Sequence, residues 1–552
     1  MDYFPQPISY YLLGGAALTA FVLFAISPRR NAPLGKAFEA AFLLSVWMAL
    51  FACRWPVFFW PEPINPDEGA LIACAMKARV DWIPWRGFDP GTSGPLNCDV
   101  LTLPALFGAP IGFFSARVTG LCLIAGALCA LYFAVKWVYG STVARLSIVP
   151  PVLLFSLTKT LDFVHYSSEH FSIFLTTAAL AAAAHLARGV GSNLSRVIAC
   201  VIGGFCLGST PFAKLQASPL ALVVLASLGA ALFMTWSRSS THPKLEIPAL
   251  VVSLLAVPVA ILVTLCATGT LRDAIIPYYA MAVDYVGSHP PVGISYFFVS
   301  AGDYTVFLVG SLAVIVAAGA ALYSRIHFDR ISVWASLSSV LLTLAAVFAI
   351  YQAHRPFPHY LLFSIVPVSL CVSNVLGLGR YLVAQTGRGM LTRVLFVLLF
   401  LIPLGIATLE SPNDFNPQAI IPKRGPVTAI SRYAKPGDRL VVWGWRPEYY
   451  VQTQTIMSTR DHSIERLLIQ TSYREYFRER FLSDLRAHPP LVFVDAVGPG
   501  AFIYSDRASH GIESFPAVEA FVREHYTEQE EVAGVRIFLA KPPAGHTTAP
   551  IP

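Results

Sequence analysis

The chain has 552 residues, of which 55% are hydrophobic and 13% charged, with a mean hydropathy of +0.60. An average soluble domain is about 25% charged, so a water-soluble enzyme is excluded. From Pro412 onward 16 basic residues balance 16 acidic ones, which leaves the whole net charge of +7 in the preceding 411 residues. Those basic residues stand scattered between apolar runs and form no patch, so nucleic-acid binding is not suggested either.

A bilayer core of about 30 Å requires some 20 apolar residues per helix. Twelve spans are predicted: 10–26, 38–60, 113–138, 143–160, 168–187, 196–212, 216–236, 246–268, 301–322, 331–351, 360–377 and 391–408. The first lacks a basic leader and is followed by Arg29, Arg30 and Lys36, so it reads as a retained helix with its N-terminus outside. Alternate loops then carry Lys136/Arg145, Arg188/Arg196, Arg238/Lys244, Arg325/Arg330 and Arg380/Arg388/Arg393, which marks the cytoplasmic side. The opposite loops, 61–112, 159–168, 213–215, 269–300 and 352–359, face outward together with the C-terminus.

Beyond the membrane part (1–411), residues 412–541 have the composition of a soluble domain. Asp438–Trp443, Leu491–Asp495 and Val535–Ala540 read as strands, and Ser463–Leu485 as a charged helical stretch between them, which predicts a small α/β domain. It lacks a Gly-rich phosphate loop and metal-ligand spacing; lid, acceptor dock and plain cap are all open roles. Residues 542–552 are expected to be disordered. Of nine cysteines, Cys74 and Cys98 lie in the first external loop, where a disulfide is permitted but not required.

The external loops carry the chemistry. Asn65-Pro66-Asp67-Glu68 fits a plain helix start, with proline in the first turn and acids favoured by the dipole. The same two carboxylates are also placed to act as a general base or to hold a cation. Lys214 and Arg355 sit at external ends of apolar runs. Each is either a snorkelling anchor or fixed positive charge for an anionic leaving group. Two prolines stiffen the loop around Arg355, and His354, His359 and Tyr360 there offer further hydrogen bonds to phosphate or sugar hydroxyls.

An early helix followed by Pro66-Asp67-Glu68 and a long external loop resembles the GT-C superfamily of integral membrane glycosyltransferases. The bacterial branch related to protein mannosyltransferases and aminoarabinose transferases is the nearest match. The likeness continues through Leu103–Phe107 with Ser115-Ala116-Arg117, through Tyr166-Ser167-Ser168-Glu169, through Gly208–Lys214, and through His354–Leu362. It implies a GT-C-like membrane fold in a bacterial inner membrane. It also implies transfer of one sugar from a polyprenyl-phosphate donor to a glycan, lipid or protein acceptor on the periplasmic side, with inversion. Asp67 would then be the catalytic base with Glu68 beside it, and Glu169 the second acid, where the family often has aspartate. Lys214, His354, Arg355, His359 and Tyr360 would bind donor phosphate and sugar. No cofactor is required; a divalent cation is compatible, although no spacing identifies its ligands. A lipid-linked polysaccharide ligase or polymerase shares the external Arg/His loop but does not need Pro66-Asp67-Glu68. A secondary transporter should show repeated halves and mid-membrane charges, whereas the acids and bases here lie at helix ends.

Overall fold

The computed structural model describes residues 7–28, 34–236, 243–287, 293, 301–322, 329–385, 389–413, 415 and 425–542. Arg29, Arg30, Arg238, Arg325 and Arg388 of the basic loops, residues 288–292 and 294–300 of loop 269–300, and the tail from residue 543 lie outside the described residues. Two compact units emerge. One comprises residues 1–59, 117–264 and 285–415, the other residues 60–116, 265–284 and 416–552.

The first unit holds the helices. Among the described residues eleven helices are long and apolar enough to cross a membrane, each at the position of an expected span. The remaining expected span, 143–160, is a pair of short helices, Ser141–Ser147 and Val149–Leu157, broken at Ile148 ahead of Pro150 and Pro151. The pair still runs from one end of the bundle to the other. At its start Arg145 donates to the Ser27 carbonyl (2.8 Å), which closes the helix Pro7–Ile26. At its far end the Thr158 carbonyl accepts from Arg54 (2.6 Å), near the other terminus of the helix Leu34–Phe58. Arg393 also donates to the Ile26 carbonyl at 3.1 Å, so basic residues from separate loops gather at one end. Carbonyls left unpaired at a helix C-terminus favour such cations.

Two devices hold the helices together. Gly204 and Gly208, one turn apart on Asn193–Ala213, lie against the helix Pro243–Thr268. A Cβ on Gly208 would stand 2.0 Å from the Leu254 carbonyl oxygen, so only glycine lets the two backbones approach this closely. At the same interface Arg196 forks onto Glu246 (2.6 and 3.2 Å) and donates to Thr235 (3.0 Å). Both charges are buried, and the bidentate geometry offsets their desolvation.

The second unit is an α/β domain with the external loop built into it. Its sheet has the order β2-β1-β3-β5-β4, with β1 Arg439–Trp443, β2 Ile456–Met457, β3 Val492–Asp495, β4 Tyr526–Val532 and β5 Val535–Ala540. β1 is parallel to β2 and β3, while β5 runs antiparallel to both β3 and β4. The β4–β5 hairpin turns on Ala533 and Gly534, both at positive φ (52° and 80°), the two-residue geometry that matches strand twist. The three expected strands are present; β2 and β4 are additional. β4 reads Tyr-Thr-Glu-Gln-Glu-Glu-Val and is mostly exposed at the sheet edge, where charges guard against unwanted pairing. The charged stretch 463–485 forms Glu465–Leu468 and Arg474–Ala487.

The loop 60–116 is fastened by buried polar contacts. Asp89, fully buried, accepts from Arg466 and Arg480 (both 2.7 Å), and Arg480 also reaches Asp461 at 2.7 Å. Arg460 pairs with Asp484 (2.9 Å) and Asp273 (3.3 Å) and donates to the Trp85 carbonyl (3.1 Å). Lys77 ends the helix Pro66–Ala78 by donating to the Met457 carbonyl at 2.6 Å. Burial drives its ammonium down to about 8. Cys74 and Cys98 are buried free thiols.

Candidate active site

The polar centre of the membrane unit grows from the loop between Leu157 and Glu169. Asp303, at the start of Gly302–Leu322, gathers that loop. Its Oδ2 accepts from Thr158 Oγ1 (2.6 Å), Thr160 Oγ1 (3.1 Å) and the Lys159 amide (3.2 Å). One helical turn, Leu161–Val164, then presents Asp162, and the chain reaches Ser167, Ser168 and Glu169 at the head of the helix Glu169–Ala187.

Glu169 is fully buried and suits that position, because the amide groups of a first turn favour negative charge. Ser167 Oγ donates to it. Lys214 approaches from the end of Asn193–Ala213, with Nζ 3.1 Å from Glu169 Oε1 and 2.7 Å from Ser168 Oγ. The ammonium also lies 5.9 Å from the Tyr360 ring centroid. Lys214 is buried and paired, which replaces the snorkelling reading of this residue.

The late loop supplies the other wall. His359 and Tyr360 form the turn Pro358–Leu361 and are both buried. The His359 ring is stacked with Phe357 (5.5 Å, 13°) and set edgewise to Tyr360 (4.7 Å, 80°). Its Nδ1 is 3.6 Å from Asp162 Oδ2, and His165 Nε2 is 3.7 Å from Asp162 Oδ1. Burial by itself raises the Asp162 carboxyl, but the two imidazoles outweigh it and hold the group well below the usual carboxylate range. His354 and Arg355 precede this turn and are half-buried, with His354 at φ 49°. The structure therefore joins Glu169, Lys214, His359 and Tyr360 in one cluster.

Asp67 and Glu68 belong to the second unit. Asn65 caps the helix Pro66–Ala78 by accepting from the Asp67 amide (2.9 Å), and Glu68 reaches back to the Ile64 amide (3.3 Å). Glu68 thus completes a capping arrangement and is buried. Asp67, beside it, is exposed. The two adjacent carboxylates have separate tasks in the fold.

Sequence reading passed over Asp162, Asp303, His170 and Arg54. Asp162 stands three residues before His165 in an external loop, and that spacing was the available signal. Arg54 was concealed inside an apolar span. Together with Arg117, His165 and His170 it lines a small pocket. A second, apolar pocket lies among Ile173, Thr176, Leu180, Leu220, Phe363 and Val366, on the helices Glu169–Ala187, Ser218–Thr235 and Leu362–Gln385. Among the described residues no group of three or more His, Cys, Asp or Glu side chains is placed to hold a metal ion.

The chain thus combines a polytopic helical unit with a small mixed-sheet unit. The chain is similar to the crystal structure of ArnT from Cupriavidus metallidurans bound to undecaprenyl phosphate. The TM-score is 0.55 at 13% identity, covering 93% of this chain and 100% of that one. The apo state of the same enzyme gives 0.55 at 13% identity over 92% and 99%. The archaeal oligosaccharyltransferase AglB from Archaeoglobus fulgidus gives 0.46 at 14% identity, covering 95% of this chain and 73% of that one. No protein-family model matches the chain, and no curated protein sequence does. At this identity the likeness to ArnT establishes the fold, and the fold is the one the sequence motifs implied.

Proposed function

We propose that this protein is a membrane glycosyltransferase. It moves a single sugar from a polyprenyl-phosphate-linked donor to a glycan, lipid or protein acceptor on the periplasmic face of a bacterial inner membrane. The observation that carries this reading is a buried Lys214–Glu169 couple at the head of the helix Glu169–Ala187, which also lines an apolar pocket. The fold is shared with a protein crystallised with undecaprenyl phosphate. A donor with an anionic head and a hydrocarbon tail requires that pairing of fixed positive charge with an apolar surface.

In this scheme the donor phosphate leaves toward Lys214 and Arg355, with His354, His359 and Tyr360 donating hydrogen bonds to phosphate or sugar oxygens. Asp67, exposed at its helix N-terminus, takes the proton of the acceptor hydroxyl as that oxygen attacks the anomeric carbon. The C–O bond to phosphate breaks as the new glycosidic bond forms, so one displacement inverts the centre. Glu169 holds Lys214 in place, and Glu68 holds the Asp67 turn. A phosphate leaving group needs little acid assistance, so a second carboxylate acid is not called for.

The test is native mass spectrometry of the purified protein, followed by single-turnover assay with the donor so identified. A co-purifying polyprenyl-phospho-sugar whose sugar is passed on with inverted configuration is the expected result. A polyprenyl-pyrophosphate oligosaccharide in its place would favour the ligase reading.

A further inference from the structure

We propose that Asp162 is a positioning residue that sets the orientation and the proton of His359 for the donor; this rests on the transferase reading above. The two oxygens of Asp162 are divided between two imidazoles, 3.7 Å to His165 Nε2 and 3.6 Å to His359 Nδ1. The other ring nitrogen of His165 lies 2.6 Å from the Tyr166 carbonyl, which can only accept. Its Nδ1 therefore carries a proton, and that ring is fixed. Asp162 is left to act on His359.

His359 is held from three directions. Phe357 covers one face, Tyr360 meets its edge, and the Asp162 carboxylate confronts Nδ1. Only Nε2 then remains to meet a ligand. A carboxylate opposite Nδ1 keeps the proton there and stabilises the ring when Nε2 takes up a second one or faces an anion. The separations are ion-pair distances, longer than hydrogen bonds. Such contacts tighten when substrate arrives. Further titratable and charged groups near this pair include Glu169 and His170, which both sense His359, Lys214 on Glu169, and Tyr360 against the His359 ring.

A second carboxylate, that of Asp303, is the one that gathers the start of this loop, through Thr158, Lys159 and Thr160, and Arg54 secures the Thr158 carbonyl. A carboxylate kept among two imidazoles, beside a loop anchored by a different carboxylate, points to work on His359.

The experiment compares wild type, Asp162→Asn, His359→Gln and the double variant in lipid bilayers. The first readout is the ¹⁵N resonances of the His359 ring, assigned by their loss in His359→Gln. Wild type should show a protonated Nδ1, and Asp162→Asn should shift these signals while leaving the melting temperature within a few degrees. The second readout is single-turnover transfer, which should fall about tenfold to a hundredfold in Asp162→Asn. The double variant should lose no more than His359→Gln alone. Unchanged ring resonances in Asp162→Asn, or a double variant whose loss is the product of the two single losses, would overturn the assignment. If the ring signals shift as stated but wild type transfers no polyprenyl-phosphate sugar, the transferase reading fails and the positioning of His359 stands.

Discussion

Two polar clusters in this molecule use buried charge in opposite ways. In the α/β unit, Asp89, Asp461, Arg466 and Arg480 form short contacts of 2.7 Å, in which Arg480 meets both carboxylates through Nη2 and Arg466 meets Asp89 through Nη1. In the membrane unit, Asp162 stands 3.6 and 3.7 Å from two histidines, and Glu169 meets a single-point lysine at 3.1 Å. Arginine pairs of the first kind stitch the loop 60–116 to the sheet of the same unit. Lysine and histidine in the second kind can turn toward a new anion without dismantling the fold. The first cluster builds the fold, and under the function proposed above the second serves the donor.

The comparison can be broken most sharply on the catalytic side. Asp67→Asn keeps the size and the helix start but removes the base, so single-turnover transfer should fall about 10²- to 10⁴-fold while donor binding is retained. Near wild-type transfer would move the base to Glu68 or Glu169. On the structural side, Arg480→Met leaves Asp89 and Asp461 short of a partner, and breaking a buried pair from one side costs about 3–5 kcal/mol. Limited proteolysis should then cut the α/β unit, while hydrogen exchange in the helix Glu169–Ala187 stays as in wild type.

Arg355→Ala should weaken donor binding about tenfold, the size of one lost charge-assisted hydrogen bond, and Arg355→Lys should restore only part of it. A loss confined to acceptor affinity would remove Arg355 from the phosphate site. The smallest effect concerns pH. The Asp162 carboxyl is held low in the folded protein, first burial opposing and then the two histidines prevailing. Its contribution to stability is therefore fully present above the ordinary aspartate value of about 3.9, and it is lost only as pH falls through the lower folded-state value. Hydrogen exchange of residues 158–168 should show no Asp162-dependent change between pH 7 and 5, and loosening should begin only below about pH 4. Asp162→Asn should abolish that acid-dependent step.

Much of the candidate site was legible because its polar residues sit at helix ends, where local rules operate. Glu169 follows two serines at the head of an apolar run, and Lys214 follows Pro211 at the end of another. His359 and Tyr360 stand beside prolines in an external loop. The pairing of Glu169 with Lys214 was not legible, since 45 residues and a whole helical hairpin separate them. Nor did local sequence separate the tasks of Asp67 and Glu68. Both fit a first helical turn, and only the backbone geometry directs Glu68 to the Ile64 amide and leaves Asp67 exposed.

Apolar run length, the placement of basic residues and the change of composition at residue 412 determined by themselves a many-spanning helical protein with a mixed α/β unit. Hydrophobic burial and helix termini act over a few turns of chain, so those features are written locally. Tertiary structure decided which charges meet. Asp89 finds Arg466 and Arg480 nearly 400 residues onward, and Asp162 finds His359 across the membrane unit. It also built the loop 60–116 into the same compact unit as the sheet domain. A buried charge must find its partner wherever the fold brings one, and no spacing along the chain encodes that meeting.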